Sequence, residues 1–161
     1  MTTDEMMDIA IRLTLSVLVG GLIGLNRDLH HKPAGVRTHA LVSLGTALMV
    51  VIVMPPGTLD PHRYDALSRV IQGTLTGIGF LGAGVILRDP GTRHVSGLTT
   101  AATVWLTALL GIACGVGVYV PVLIAMLLAT LVVTFGGRVE QAFHRRFPVD
   151  AEDAPTEPPR Q

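Results

Sequence analysis

Residues 94–137 read HVSGLTTAATVWLTALLGIACGVGVYVPVLIAMLLATLVVTFGG, 44 positions without one Asp, Glu, Lys or Arg. A membrane hydrocarbon core about 30 Å thick is crossed by ~20 predominantly apolar helical residues. The run holds two such lengths and is too long for one. Gly115-Val116-Gly117 falls near its middle, and closely spaced glycines favour a turn. The stretch predicts a tight hairpin of two transmembrane helices, over residues 97–115 and 118–136.

Outward from this hairpin the pattern repeats. Windows 13–26, 38–59 and 70–87 also hold none of the 24 charged side chains. The first is short, but Ile9, Ala10 and Ile11 extend it to a span over 9–26 if Arg12 snorkels to the interface. A second span over 39–54 ends at Pro55-Pro56-Gly57, because proline lacks an N–H and fixes φ. A third covers 70–87. Past Gly136-Gly137, Val139, Phe143 and Phe147 recur at four-residue steps with arginines elsewhere, which predicts a short interfacial helix over 138–147. Residues 148–161 are rich in Pro, Asp and Glu and predict a disordered tail. The fold expected is an all-α integral membrane protein of five transmembrane helices, with a transmembrane domain over 1–136 and a short cytoplasmic segment over 137–161.

Composition agrees with this reading. Charged residues are 15% of the chain against ~25% in a soluble domain, 49% are apolar, and the mean hydropathy is +0.54. Net charge is zero, so neither a basic surface for nucleic acid nor an acidic binding tail is indicated. The single Cys114 excludes an internal disulfide and a cysteine-based zinc site. Asp4, Glu5 and Asp8 precede the first apolar stretch where a secretory signal begins with positive charge, so the first span is expected to be retained. Lys and Arg of short loops stay on the cytoplasmic side. With the N-terminus outside, nine of the twelve basic residues fall inside, which favours N-terminus out and C-terminus in.

Glycine is frequent within the spans, at Gly20, Gly21 and Gly24, at Gly73, Gly77, Gly79, Gly82 and Gly84, and at Gly111 and Gly115. Small residues let helix backbones approach closely, and on this reading Gly20, Gly24, Gly111 and Gly115 pack helices, with Trp105 filling space opposite a glycine face. The alternative for Thr76 to Gly84 is a broken helix that offers backbone groups to a solute. Thr99, Thr103 and Thr107 stand at four-residue steps on one face of the fourth span, as packing hydroxyls or as a solute path. The densest polar cluster is the joint from Arg27 to His39. There Arg27, Arg37, Thr38 and His39 either set topology or line a cytoplasmic vestibule, with Asp28 neutralising one arginine. His30 and His31 are adjacent and share no helix face, and the spans carry no carboxylate for magnesium, so no metal site is expected. Ser16, Ser43 and Ser68 have no His and Asp placed near them, and the chain offers no enzyme site and no cofactor site.

Four pieces in this order and spacing, Gly21-Leu22-Ile23-Gly24-Leu25-Asn26-Arg27-Asp28, Ala34-Gly35-Val36-Arg37-Thr38-His39-Ala40-Leu41-Val42, Gly77 to Gly84, and Gly97-Leu98-Thr99-Thr100-Ala101-Ala102 with Trp105, resemble the membrane domain of the MgtC/SapB family over about residues 9–136. The resemblance implies a multi-pass bacterial inner-membrane protein tied to survival at low magnesium and inside host cells. It marks Arg27, Asp28, Gly35, Arg37, Thr38, His39, Gly77, Gly79, Gly82, Gly84, Gly97, Thr99 and Thr100 as the candidate motif. Members of the MgtC branch continue into a folded cytoplasmic domain, whereas only residues 137–161 follow the last span here, so the chain looks like the shorter, SapB-like kind. Where the family places Glu after the first-span arginine this chain has Asp28, and where it places Gln four residues before Gly77 it has Gly73, with Gln72 beside it. The function expected is a non-enzymatic regulator that contacts another membrane complex or associates with itself. The alternative is a small transporter or channel for an ion or neutral solute.

Overall fold

The computed structural model describes residues 2–57, 60–88 and 95–146. Five helices follow in order, α1 (Thr3–Leu29), α2 (Val36–Val53), α3 (Pro61–Val85), α4 (Leu98–Val116) and α5 (Tyr119–Arg146). Between α3 and α4 stand two two-residue strands, β1 (Leu87–Arg88) and β2 (Val95–Ser96). They pair antiparallel with Leu87 opposite Ser96 and Arg88 opposite Val95, a ladder the hydrophobic pattern does not announce. Among the described residues the remaining regular structure is helical, and α1, α2, α4 and residues Tyr119–Val139 of α5 are long and apolar enough to cross a membrane. The 25 residues of α3 open with a polar stretch holding His62, Arg63, Asp65 and Arg69, which leaves it a shorter apolar part.

The helices overrun the charge-free windows because hydropathy marks where lipid is, whereas backbone hydrogen bonds mark where a helix is. Thr2 and Glu5 form a reciprocal capping box, 3.0 and 3.2 Å, that starts α1 well before residue 9. Asp60 accepts the His62 N–H at 3.0 Å and Pro61 opens α3, so that helix starts inside the charged joint. The turn expected at Gly115-Val116-Gly117 forms on Gly117, whose φ of 91° is left-handed backbone. The Gly117 and Val118 N–H groups close on the Ala113 carbonyl at 3.0 and 3.1 Å. At the other end α5 runs unbroken through Gly136-Gly137 to Arg146, so the interfacial helix expected over 138–147 is its continuation as far as the described residues extend. The tail expected over 148–161 lies outside them.

The chain divides into two compact units, Met1–Leu127 and Leu128–Gln161. In the first, α2 lies between α1 and α4, which also touch each other, and α3 packs chiefly on α4. One apolar cluster joins Val19 and Ile23 of α1 to Leu110 and Cys114 of α4 and Val122 of α5. A second joins Ile78 of α3 to Val104 and Ala108 of α4. In the second unit the Arg138 guanidinium stands over the Phe135 ring, 5.7 Å from its centroid.

Candidate functional site

Two glycine pairs set the position of α2. Gly20 and Gly24 lie one turn apart on α1, and a Cβ on Gly20 would meet the His39 carbonyl and stand 2.8 Å from Ser43 Cβ, while one on Gly24 would stand 2.6 Å from Val36 Cα. Gly111 and Gly115 repeat the spacing on α4, where added Cβ atoms would come within 2.8 Å of Ser43 Cα and 2.7 Å of the Ala47 carbonyl. At such distances no side chain fits, so the backbones themselves are in contact.

The end of this three-helix arrangement at Arg27 and Val36 holds the polar residues of the first joint. Among the described residues no arginine pairs with Asp28. Its Oδ2 accepts the Val36 N–H at 2.9 Å and so caps α2, where negative charge complements the helix dipole. A Cβ at Gly35 would collide with that carboxylate, which explains a glycine in the Ala34-Gly35-Val36 turn. Arg27 is 3% exposed and reaches α4, its Nη2 donating to Thr100 Oγ1 at 2.5 Å. The Nε–H of Arg27 has no partner among the described residues. His39 and Ser43, both fully buried, face the α1 seam. Because the Gly35 carbonyl can only accept, the 3.0 Å contact fixes the proton on His39 Nδ1, which leaves Nε2 as an unpartnered acceptor.

Other expected residues fall elsewhere. Arg37 and Thr38 are exposed, and no ion pair forms at Arg37 among the described residues. The buried hydroxyl stripe of α4 is Thr100, Thr103 and Thr107, not one beginning at Thr99, which faces outward, since 3.6 residues per turn favours steps of three and four over two steps of four. Thr103 donates to the Thr100 carbonyl at 2.9 Å and Thr107 to the Thr103 carbonyl at 2.8 Å, so these protons are committed to their own helix. Trp105, expected opposite a glycine face, is 44% exposed. Gly97 adopts left-handed backbone, φ 89°, against the Val85 carbonyl, and joins α3 to α4. On α3, Gly82 meets Ala101 Cβ at 3.6 Å, while Gly77, Gly79 and Gly84 have nothing within 4 Å of a would-be Cβ.

The MgtC family model matches residues 13–142, which takes in the α1 and α4 glycine pairs, the Arg27–Thr100 contact and all of α3. The chain belongs to the MgtC family. Protein SrpB of Synechococcus elongatus is 47% identical over 122 residues, 71% of this chain and 67% of that protein. YhiD of Escherichia coli (strain K12), named provisionally for magnesium transport, is 42% identical over 113 residues, 68% of this chain and 51% of its own. Protein MgtC of Salmonella typhimurium (strain LT2) is 42% identical over 107 residues, 66% of this chain and 43% of its own. The chain thus spans about half the length of YhiD and less of MgtC. No solved structure matches.

Within this MgtC-family membrane domain, Arg12 makes contacts that a hydropathy reading does not announce. Its side chain is 14% exposed, and Nη1 donates to the Gly115 and Val116 carbonyls at 2.8 and 3.0 Å while Nη2 pairs with Asp8 at 2.8 Å. It closes the C-terminal end of α4, where positive charge is favourable. The only sequence signal was Asp8 four residues before Arg12, a spacing that places both on one helix face. Among the described residues no group of three His, Cys, Asp or Glu comes together as metal ligands.

Proposed function

We propose that this MgtC-family protein is a non-enzymatic regulator of the bacterial inner membrane that acts by lateral contact with another membrane protein complex and supports growth when magnesium is scarce. The observation that carries the reading is the outer face of α3. Gly73, Gly77, Phe80 and Gly84 recur there at steps of three and four, flanked by Gln72, Thr76, Gly79 and Ala83, and all eight are exposed. Phe80 is 83% exposed, a knob between glycine notches. Lipid tails gain nothing from small and polar residues, whereas a partner helix gains close approach and hydrogen bonds. By contrast α2 turns Leu41, Leu48 and Ile52 outward, the bulky apolar surface expected of a lipid face. Orientation with Met1 in the periplasm and Gln161 in the cytoplasm follows the nine-to-three division of basic residues.

The test is complementation of a deletion strain at low magnesium with Gly77→Leu at equal membrane abundance, combined with crosslinking in the native membrane and co-purification. Loss of growth together with loss of a crosslinked foreign partner is expected. Full growth, or recovery of self-oligomers alone, contradicts lateral contact with another complex. Transport is the second reading, favoured by the name of YhiD. Magnesium flux into proteoliposomes carrying the purified protein, absent from empty ones, establishes it.

A further inference from the structure

The N-termini of α2 and α4 meet opposite charges from α1. At α2 the Asp28 carboxylate takes the Val36 N–H, so an anion sits on the positive end of the helix dipole. At α4 the cap residue Gly97 offers no side-chain acceptor, and what arrives in the first turn, at Thr100, is the Arg27 guanidinium. A guanidinium is always charged. This one is buried, its Nε–H is unpartnered, and the ion pairs among the described residues, Arg12 with Asp8 and Arg63 with Asp60, leave it out. Asp28 next to it in sequence is committed to α2. Among the described residues a positive helix end and a buried cation thus face each other with no carboxylate between them, an arrangement that a protein interior penalises. An anion bound between them adds an attraction to each.

We propose that a phosphate-type oxyanion binds between Arg27 and the first turn of α4. The donors suit such a group: a forked guanidinium, the uncapped N–H groups of a 19-residue helix, and the Thr100 hydroxyl, which accepts from Arg27 and keeps its own proton to give. Arg27 and Thr100 stand at the ends of their helices, the depth at which headgroups meet the hydrocarbon. The oxyanion therefore comes either from free phosphate or from a phospholipid headgroup.

The full chain, purified in phosphate-free alkyl maltoside, is titrated with inorganic phosphate and, separately, with phosphatidylglycerol in mixed micelles, while its thermal midpoint is followed. A ligand at many times its Kd raises the midpoint by roughly 5–10 °C in a chain of this size. Such a rise is expected, and Arg27→Gln abolishes it. A rise with inorganic phosphate assigns the free ion, and a rise with phosphatidylglycerol alone assigns the headgroup. If Arg27→Gln does not fold, Thr100→Val keeps the charge and is expected to weaken apparent affinity about tenfold, the loss of one charge-assisted hydrogen bond. No rise with either probe, an equal rise with chloride at matched ionic strength, or an undiminished rise in both variants overturns the site.

Discussion

Two sets of glycines in one chain do different things. Gly20 and Gly24 of α1 and Gly111 and Gly115 of α4 are closed against α2 by backbone contact, whereas those of α3, Gly82 apart, are open. Nothing in the local sequence separates them, because both sets are small residues at helical spacing in apolar surroundings. What separates them is the neighbour: α2 has bulky residues outside and Ser43, Ala47 and the bare His39 carbonyl inside, so it accepts a glycine on each side. Burial makes the first set structural. Exposure leaves the second available to another molecule.

The largest effect that this contrast implies is on stability at the closed seams. Gly111→Val and Gly24→Val drive a branched side chain into backbone and are expected to cost about 3 kcal/mol or more each, beyond the usual overpacking range when backbone must move. Thermal unfolding in detergent measures this. The same substitution at Gly77 is expected to shift the midpoint little, since a Cβ there meets nothing within 4 Å. Equal destabilisation at Gly111 and Gly77 breaks the comparison.

The capping contacts come next. Gly35→Ala collides with the Asp28 carboxylate, and Asp28→Asn weakens the charge it places on α2, with expected costs of about 2 and ~1 kcal/mol. The Gly35→Ala loss is expected to shrink when Asp28 is already Ser, a double-mutant coupling that a purely local turn effect does not produce. Arg12→Gln removes the closure of α4 at the opposite end and is expected to cost ~1 kcal/mol, with salt leaving most of the loss in place because the contact is largely buried.

The smallest effect belongs to Arg37. Its exposed side chain has no ion pair among the described residues. Arg37→Lys is expected to stay within about 0.5 kcal/mol of the parent and to complement growth at low magnesium. Arg27→Lys is the informative substitution instead, since a lysine keeps the charge and loses the fork that reaches Thr100.

Helix number and the hairpin at Gly117 were legible because charge-free length and turn glycines act locally. The ends of α1 and α3 were not, since Thr2, Glu5 and Asp60 cap in water where hydropathy is silent. Within the candidate site the motif residues could be named but not sorted. Arg27 and Arg37 look alike in the chain, and only the approach of α4, 73 positions on, buries one of them. The first hydroxyl of the α4 stripe was placed at Thr99 and not at Thr100 because the two are adjacent and periodicity alone does not choose between them, whereas Thr103 and Thr107 stand in the buried stripe. The contacts of Arg12 were not legible either, because its carbonyl partners lie 103 and 104 residues away.

The open face of α3 is tested most directly by a photo-reactive residue placed at Phe80 and, for comparison, at Ile52 on the outward side of α2, in cells grown at low magnesium. Both positions are exposed, 83% and 67%, so each label meets whatever surrounds the protein. A protein adduct at Phe80, with lipid adducts alone at Ile52, is the result expected if α3 is a contact surface. Lipid adducts alone at both positions, or the same protein adducts at both, contradict it.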